Sequence, residues 1–232
     1  MKKEVSIILL CFIFFCSCYK RDKSFDRQNI VDKTEEYVES RTSWVAIKKN
    51  ESVDGYTRIG NSIYGGEISC NVEPLKDIDL NTFKVLPGTK YGKDKNYVYY
   101  PLSVTCIDYI DCGVCYYTRI VVEKANPESF RYINKEYATD GENVYFRGEL
   151  IADADGKTFK VIDGPEFFYF AVDVNKVYMH ENIFEEADPL TFTYDSENEN
   201  NLVKGQHRYI IKDKNTVWEY IPPNSINKIE SK

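Results

Sequence analysis

Four cysteines in the middle of the chain are the residues best suited to chemistry. Cys112 and Cys115 form a Cys-x-x-Cys pair, and Cys70 and Cys106 lie upstream of it. Such a pair serves thiol redox chemistry when its first cysteine begins a helix, because the helix dipole lowers the thiol pKa. Residues 116–122 instead read Tyr-Tyr-Thr-Arg-Ile-Val-Val, which is typical of a strand. We therefore favour two structural disulfides over a redox site and over a four-cysteine zinc site.

Other patterns for catalysis or metal binding are scarce in the sequence. The histidines, His180 and His207, do not lie in a zinc-type spacing, and neither a Gly-x-Ser-x-Gly elbow nor a phosphate-binding glycine loop is present. The Asp-rich stretch 153–156 lacks the glycine position and final glutamate of a calcium loop. The sequence therefore predicts no metal, no cofactor and no catalytic residue.

A short pattern organises most of the chain: an Asp is followed four and five positions later by Val-Tyr. Its copies begin at Asp94, Asp140, Asp173 and Asp213, the last with Trp in place of Tyr. A large apolar residue stands three positions before each Asp: Tyr91, Tyr137, Phe170 and Ile210. Tyr56 holds the same position in a degenerate earlier copy. Since Asp and Asn favour tight turns while Val and Tyr favour strands, each copy predicts a β-hairpin. By the same reasoning we interpret four asparagines as turn residues rather than ligands: Asn96, Asn143, Asn175 and Asn215.

A second element follows each hairpin, with Asp188-Pro189-Leu190-Thr191-Phe192 as its clearest form. Asp or Asn accepts hydrogen bonds from the next amides, and Pro fits a first helical position, so the pattern predicts one short helical turn. Its phenylalanine is expected in the core: Phe83, Phe130, Phe159 and Phe192. The three residues after each of the first three phenylalanines predict a third strand.

The paired patterns resemble the DKNYY family of bacterial repeat proteins, as in Asp94-Lys95-Asn96-Tyr97-Val98-Tyr99-Tyr100. The resemblance covers roughly residues 56–221. It implies a repeat protein and supplies no catalytic residue. We expect an all-β fold of antiparallel hairpin or three-strand repeats joined by short helical turns, propeller-like or an open meander rather than a closed barrel.

The repeats also bear on cysteine pairing, because neighbouring copies stack. Cys106, Cys112 and Cys115 fall in one enlarged segment, and Cys70 lies in the corresponding segment of the preceding copy. Four cysteines permit three connectivities, among which the sequence cannot choose. We lean toward Cys70 with Cys106 and Cys112 with Cys115.

The N-terminus is typical of an exported lipoprotein. Two lysines precede an apolar run at 5–15, which is short enough for a signal peptide and too short to cross a bilayer. Ser17 precedes Cys18, which makes Cys18 the expected lipidation site, although an ordinary secretory signal remains the alternative. The predicted organisation is a signal peptide at 1–17, a lipid-anchored polar tether at 18–43, the repeat domain at 44–221 and a C-terminal tail at 222–232. No Asp follows Cys18, which favours the outer membrane.

These features predict a non-enzymatic envelope lipoprotein that acts as a binding or scaffolding module. Its expected partners are the membrane, through the N-terminal lipid, and a protein or glycan bound by exposed tyrosines such as Tyr100, Tyr116 and Tyr117. The alternative for each single tyrosine, which its residue type favours, is a core or strand-packing role. A formal net charge of −7 argues against nucleic acid, whose binding requires clustered Lys and Arg. The alternatives are an envelope hydrolase using carboxylates such as Asp108 and Asp111, whose separation the sequence does not set, and an immunity or inhibitor protein.

Overall fold

The computed structural model describes residues 30–33, 43–65, 74–101, 121–165, 167–195 and 207–229. The described strands all belong to one unit of the chain, Val31–Lys232. Among the described residues no helix is long and apolar enough to span a membrane.

Five small sheets account for the described strands. The first contains β1 (Val31–Asp32), β2 (Glu51–Val53), β3 (Tyr56–Ile59) and β4 (Ser62–Gly65). The second contains β5 (Lys84–Leu86), β6 (Tyr91–Lys93) and β7 (Val98–Tyr99). The third contains β8 (Arg131–Asn134), β9 (Tyr137–Thr139), β10 (Val144–Phe146) and β11 (Glu149–Leu150). The fourth contains β12 (Lys160–Val161), β13 (Phe170–Val172), β14 (Val177–Met179) and β15 (Asn182–Ile183). The fifth contains β16 (Thr193–Asp195), β17 (Tyr209–Lys212), β18 (Val217–Ile221) and β19 (Ser225–Lys228).

Within each sheet the strands follow chain order, and every pairing is antiparallel except that of β1 with β2. The all-β prediction is confirmed. The predicted hairpins are β6–β7, β9–β10, β13–β14 and β17–β18, and the predicted third strands pair with the hairpin that follows them. Sequence reasoning missed a fourth strand at the end of the third, fourth and fifth sheets, because β11, β15 and β19 are short and lack strong alternation.

The sheets extend beyond the domain boundaries drawn from composition. Strand β19 pairs with β18 from Trp218↔Lys228 to Ile221↔Ser225, so the segment predicted as a C-terminal tail forms part of the last sheet. Strand β1 lies within the predicted tether and pairs with β2. The folded region therefore includes residues on both sides of 44–221.

The prediction of short helical turns is wrong for the described residues, which contain no helix. At Asp155 the carbonyl accepts bonds from the amides of Thr158 and Phe159 at 3.2 and 3.0 Å, and Asp188 does the same for Thr191 and Phe192. These bonds close one turn, and the chain then enters β12 or β16, so no second turn of helix forms. We call this element the Phe turn; its four phenylalanines are buried.

A buried carboxylate ties each Phe turn to the hairpin that follows it. Asp173 Oδ1 accepts the amides of Asn175 and Lys176, both at 2.7 Å, which forms the hairpin turn. Its Oδ2 accepts the amide of Asp155, the first residue of the preceding Phe turn, at 2.9 Å, and the hydroxyl of Tyr178 at 2.6 Å. We call this arrangement the Asp clasp. The sequence pattern associated each Phe turn with the hairpin before it, whereas the clasp joins it to the hairpin after it.

The same clasp recurs in the other three repeats. The carboxylates of Asp94, Asp140 and Asp213 accept amides two and three residues ahead, and also the amide of Asp79, Asn126 or Asp188 in the preceding Phe turn. Tyr99 and Tyr145 supply the hydroxyl donor in the first two of these repeats. Trp218 replaces that tyrosine in the last repeat, and its buried indole nitrogen has no hydrogen-bond partner among the described residues.

Consecutive sheets pack face to face through aromatic cores, one for each neighbouring pair. The tyrosine that opens a hairpin reaches the backbone of the next sheet. Tyr56 Oη donates to the carbonyls of Lys90 and Tyr99 at 3.1 and 2.9 Å, and Tyr91 Oη accepts the amide of Gly148 at 2.9 Å. The hydroxyls thus fix the register between sheets, and the rings fill the core between them. Ile210, the equivalent in the last repeat, is only half-buried.

We expect Asp173→Ala to lower the free energy of unfolding by about 3 kcal/mol or more, because it leaves one buried hydroxyl donor and three part-buried amide donors without an acceptor. Chemical denaturation of the purified chain measures this loss. Glu185→Ala, an exposed change in the following connection, is the matched control and should cost less than about 0.5 kcal/mol. Equal effects of the two substitutions would contradict the role of the clasp.

Acid should unfold the chain through the clasps. Burial alone would raise the pKa of Asp140, Asp173 and Asp213, but the hydrogen bonds they accept outweigh it and hold each pKa below the ordinary value. The stability they contribute is therefore complete above about pH 4, near the unfolded pKa, and is lost as the pH falls through the lowered folded values. The free energy of unfolding, measured from pH 6 to pH 2, should decrease as the pH falls below about 4. The decrease should be less steep for Asp173→Ala. A flat profile would contradict this account.

Candidate functional site

Three equivalent turns of successive sheets meet at one cavity. These second turns, which join the third and fourth strands of a repeat, are Arg147–Gly148, His180–Glu181 and the loop 222–224. The cavity has a volume of about 370 Å³, and seven of the described residues line it: Arg147, Phe167, Tyr169, His180, Tyr220, Pro222 and Pro223. We call it the second-turn pocket. Second turns and Asp clasps lie at opposite ends of the same hairpin strands.

Backbone conformation at the pocket is unusual for the residues that occupy it. Arg147 and Gly148 have φ of 50° and 79°, and His180 has φ of 57°. Two-residue hairpin turns with positive φ normally carry Asn, Asp or Gly, because larger side chains disfavour this region. The chain therefore places the large cationic side chain of Arg147 where smaller residues fold more easily.

An aromatic cluster holds the Arg147 guanidinium. Its central carbon lies 5.2 Å from the Phe146 ring centre and 5.5 Å from that of Tyr169, within the range of cation–π attraction. The His180 ring lies 5.2 and 5.1 Å from the same two rings. Arg147 Nε is 3.9 Å from a Glu136 carboxylate oxygen, and the arginine side chain is 49% exposed. The guanidinium is thus restrained by stacking while it remains accessible.

The buried Tyr137 and the half-buried Lys135 of the third repeat position the pocket residues of the fourth. Tyr137 Oη donates to the carbonyls of Tyr169 and His180, both at 2.9 Å. Lys135 Nζ donates to the carbonyls of Gly164, Pro165 and Phe168 at 2.7, 2.8 and 3.1 Å, which secures the connection that carries Phe167. Burial lowers the pKa of Lys135, and the three carbonyls satisfy its ammonium.

Phe167 forms an exposed wall of the pocket. Its side chain is 52% exposed and its φ is 65°, a conformation that is a genuine outlier for a bulky residue. Tyr220 Oη donates to the carbonyls of Phe167 and Pro223 at 3.3 and 2.9 Å, which links the exposed wall to the last second turn. Burial raises the pKa of Tyr220 to about 12, so its hydroxyl remains a donor at neutral pH. Strained backbone that presents an aromatic side chain to solvent is a feature of ligand-binding sites.

The model of the DKNYY family matches residues 108–182 of the chain. That region belongs to the DKNYY family. The match covers the middle of the span over which the sequence resembles the family, and the repeats on either side share its clasp geometry. A search of the curated proteins and a search of the solved structures gave no match. The DKNYY region supplies four residues of the second-turn pocket, and Tyr220, Pro222 and Pro223 follow it.

The structure places the predicted repeat residues away from the pocket. Asp94, Asp140, Asp173 and Asp213 form the clasps, and the amides of Asn96, Asn143, Asn175 and Asn215 donate to them. Tyr100 is buried, so its prediction as an exposed binding residue is wrong. Tyr116, Tyr117, Asp108 and Asp111 lie outside the described residues, as do the expected lipidation site and disulfide cysteines: Cys18, Cys70, Cys106, Cys112 and Cys115. Among the described residues no group of three His, Cys, Asp or Glu side chains could hold a metal ion.

Sequence reasoning missed the second-turn pocket. Its residues are distant in sequence and share no motif. One signal was available: Arg147 and His180 both stand two positions after the tyrosine of the DKNYY pattern, which marks the same turn in two copies. The hairpin prediction stopped before that turn because the fourth strand was not recognised.

The His180 ring offers a spectroscopic measure of the pocket. Burial lowers its pKa, Glu181 opposes this, and Arg147 lowers the pKa further. In an NMR titration we expect the His180 signal, assigned with His180→Asn, to titrate below the ordinary value of about 6.5. Arg147→Gln should raise this pKa, and Glu181→Gln should lower it. No movement in Arg147→Gln would show that the guanidinium does not face the imidazole in solution.

Proposed function

We propose that the chain is a non-enzymatic binding module of the cell envelope and that the second-turn pocket is its ligand site. The observation that carries this proposal is the convergence of equivalent turns from three successive sheets on one cavity with aromatic walls and a single exposed guanidinium. In repeat proteins the loops of one face commonly form the binding surface. A cavity with flat apolar walls and few polar groups is the usual form of a small-molecule or glycan site.

The composition of the pocket supports binding more than hydrolysis. Hydrolysis of glycosides uses two carboxyl groups on either side of the scissile bond. None of the seven described residues that line the pocket is an Asp or Glu. The carboxylates considered for a hydrolase, Asp108 and Asp111, lie outside the described residues, and no observation favours an immunity protein. A binding role is therefore the function that we propose.

Attachment to the envelope is part of the same proposal. A signal peptide at 1–17 and a lipid on Cys18 would place the repeats on a polar tether at the outer membrane. Acyl chains contribute about 0.8 kcal/mol per buried methylene, so several chains anchor stably. In that oxidising compartment Cys70, Cys106, Cys112 and Cys115 would form two disulfides, with no cofactor required.

Binding through the pocket is testable with the mature chain immobilised on beads. We expect it to retain material from soluble envelope extracts, and Arg147→Ala combined with Tyr169→Ala to lose most of it. Lys160→Ala, an exposed cationic change in β12, is the control for lost charge and should retain the material. Thermal unfolding of each variant verifies that it is folded. Equal retention by all three proteins, or none by the wild type, would contradict the proposal.

Lipidation should depend on Cys18 alone. We expect cells that express the full chain to incorporate a labelled fatty acid into it, and Cys18→Ser to abolish incorporation and release the protein from the membrane fraction. Cys16→Ser is the matched control, since bulky Phe15 precedes Cys16, and should leave labelling intact. Loss of label in Cys16→Ser only would move the site to Cys16, and an unlabelled wild type would refute lipid anchoring.

A further inference from the structure

We propose that the second-turn pocket recognises a saccharide unit that carries a carboxylate. This inference rests on the proposed function and names the ligand class of the same site. It follows from three properties of the pocket: a restrained guanidinium, flat apolar walls and a ring nitrogen pair that can hydrogen-bond hydroxyl groups.

The guanidinium of Arg147 specifies the carboxylate. In the described part of the chain its nearest carboxylate oxygen belongs to Glu136, 3.9 Å from Nε, and this group contacts the side of the fork rather than its tip. A planar guanidinium binds a carboxylate through two parallel hydrogen bonds. Contacts with the Phe146 and Tyr169 rings restrain the fork before binding, which reduces the entropy lost when a ligand is captured.

The walls of the pocket specify a ring with one apolar face. Tyr169 and the exposed Phe167 provide aromatic surface, and Pro222 and Pro223 add further apolar surface. Aromatic rings favour the C–H face of a sugar, while the hydroxyl groups at its edge require polar partners. His180, whose pKa is lowered by burial, can accept one hydrogen bond and donate another at neutral pH. A small inorganic anion would leave these walls unused, and a neutral sugar would leave the tip of the guanidinium fork without a carboxylate.

Size and charge restrict the ligand further. A volume of about 370 Å³ is near the lower end of the usual range of ligand pockets, about 300 to 1,000 Å³, which suits a terminal unit or a short oligosaccharide. The chain carries a net charge of −7, so an anionic ligand gains nothing from the protein as a whole. Affinity for an acidic sugar must come from the local cation, which makes Arg147 the decisive residue.

The test is a titration of the mature chain with glucuronic acid, glucose and sodium acetate, followed through NMR signals of His180 and Tyr169. We expect glucuronic acid to bind and both glucose and acetate to bind at least tenfold more weakly. Arg147→Gln should reduce affinity for glucuronic acid at least tenfold and remove its advantage over glucose. Arg131→Gln changes an exposed arginine of the same sheet and should have no effect.

Each other outcome overturns the inference in a distinguishable way. Equal binding of glucose would refute the requirement for a carboxylate, and equal binding of acetate would refute the requirement for a sugar. If no sugar binds while the bead assay still depends on Arg147 and Tyr169, the ligand class is wrong and the proposed function stands. Retention of protein alone in that assay would assign the pocket to a protein partner. If the bead assay is also independent of the pocket, both proposals fall.

Discussion

Removal of an aspartate carboxylate from water is the constraint on which each repeat depends. Asp94, Asp140 and Asp173 are buried, and a buried carboxylate is tolerated only when hydrogen-bond donors replace its lost hydration. The clasp collects these donors from its own turn, from the amide that opens the preceding Phe turn and from a tyrosine hydroxyl five residues ahead. Because one carboxylate joins three segments, the hairpin and the Phe turn can adopt only one relative position, and the phenylalanine enters the core.

Stacking of the repeats then determines where function can arise. A tyrosine hydroxyl forms a hydrogen bond to the backbone of the next sheet in three repeats, from Tyr56, Tyr91 and Tyr137. These bonds align sheets whose strands do not pair with one another. Alignment of the sheets also aligns their second turns, and a cavity between those turns follows from the stacking itself. The hydroxyl of Tyr137 serves both purposes, because the two carbonyls that it holds belong to the pocket residues Tyr169 and His180.

The sequence predicted those parts of the fold that are local. The Asp and Val-Tyr spacing predicted the hairpins because turn chemistry and strand preference act within a few residues. The pattern of the Phe turns predicts helix because Asx capping begins both structures, and only the following strand decides between them. Strands such as β11 and β15 contain two residues each, too few for a periodic pattern. The pocket combines residues from Arg147 to Pro223, and no local preference relates them; only stacking brings them together.

Structural and functional residues occupy opposite ends of the same strands, which allows them to change independently. Strand β10 runs from the Asp140 clasp to Arg147, and β14 runs from the Asp173 clasp to His180. The last repeat shows this independence, because its clasp has lost the tyrosine hydroxyl while its second turn still lines the pocket. Trp218 packs against Phe184 and Phe192 instead, and Asp213, which is only half-buried, needs fewer protein donors than its counterparts. A weaker clasp is therefore tolerated where water still reaches the carboxylate, and Pro222 and Pro223 of the same repeat still line the pocket.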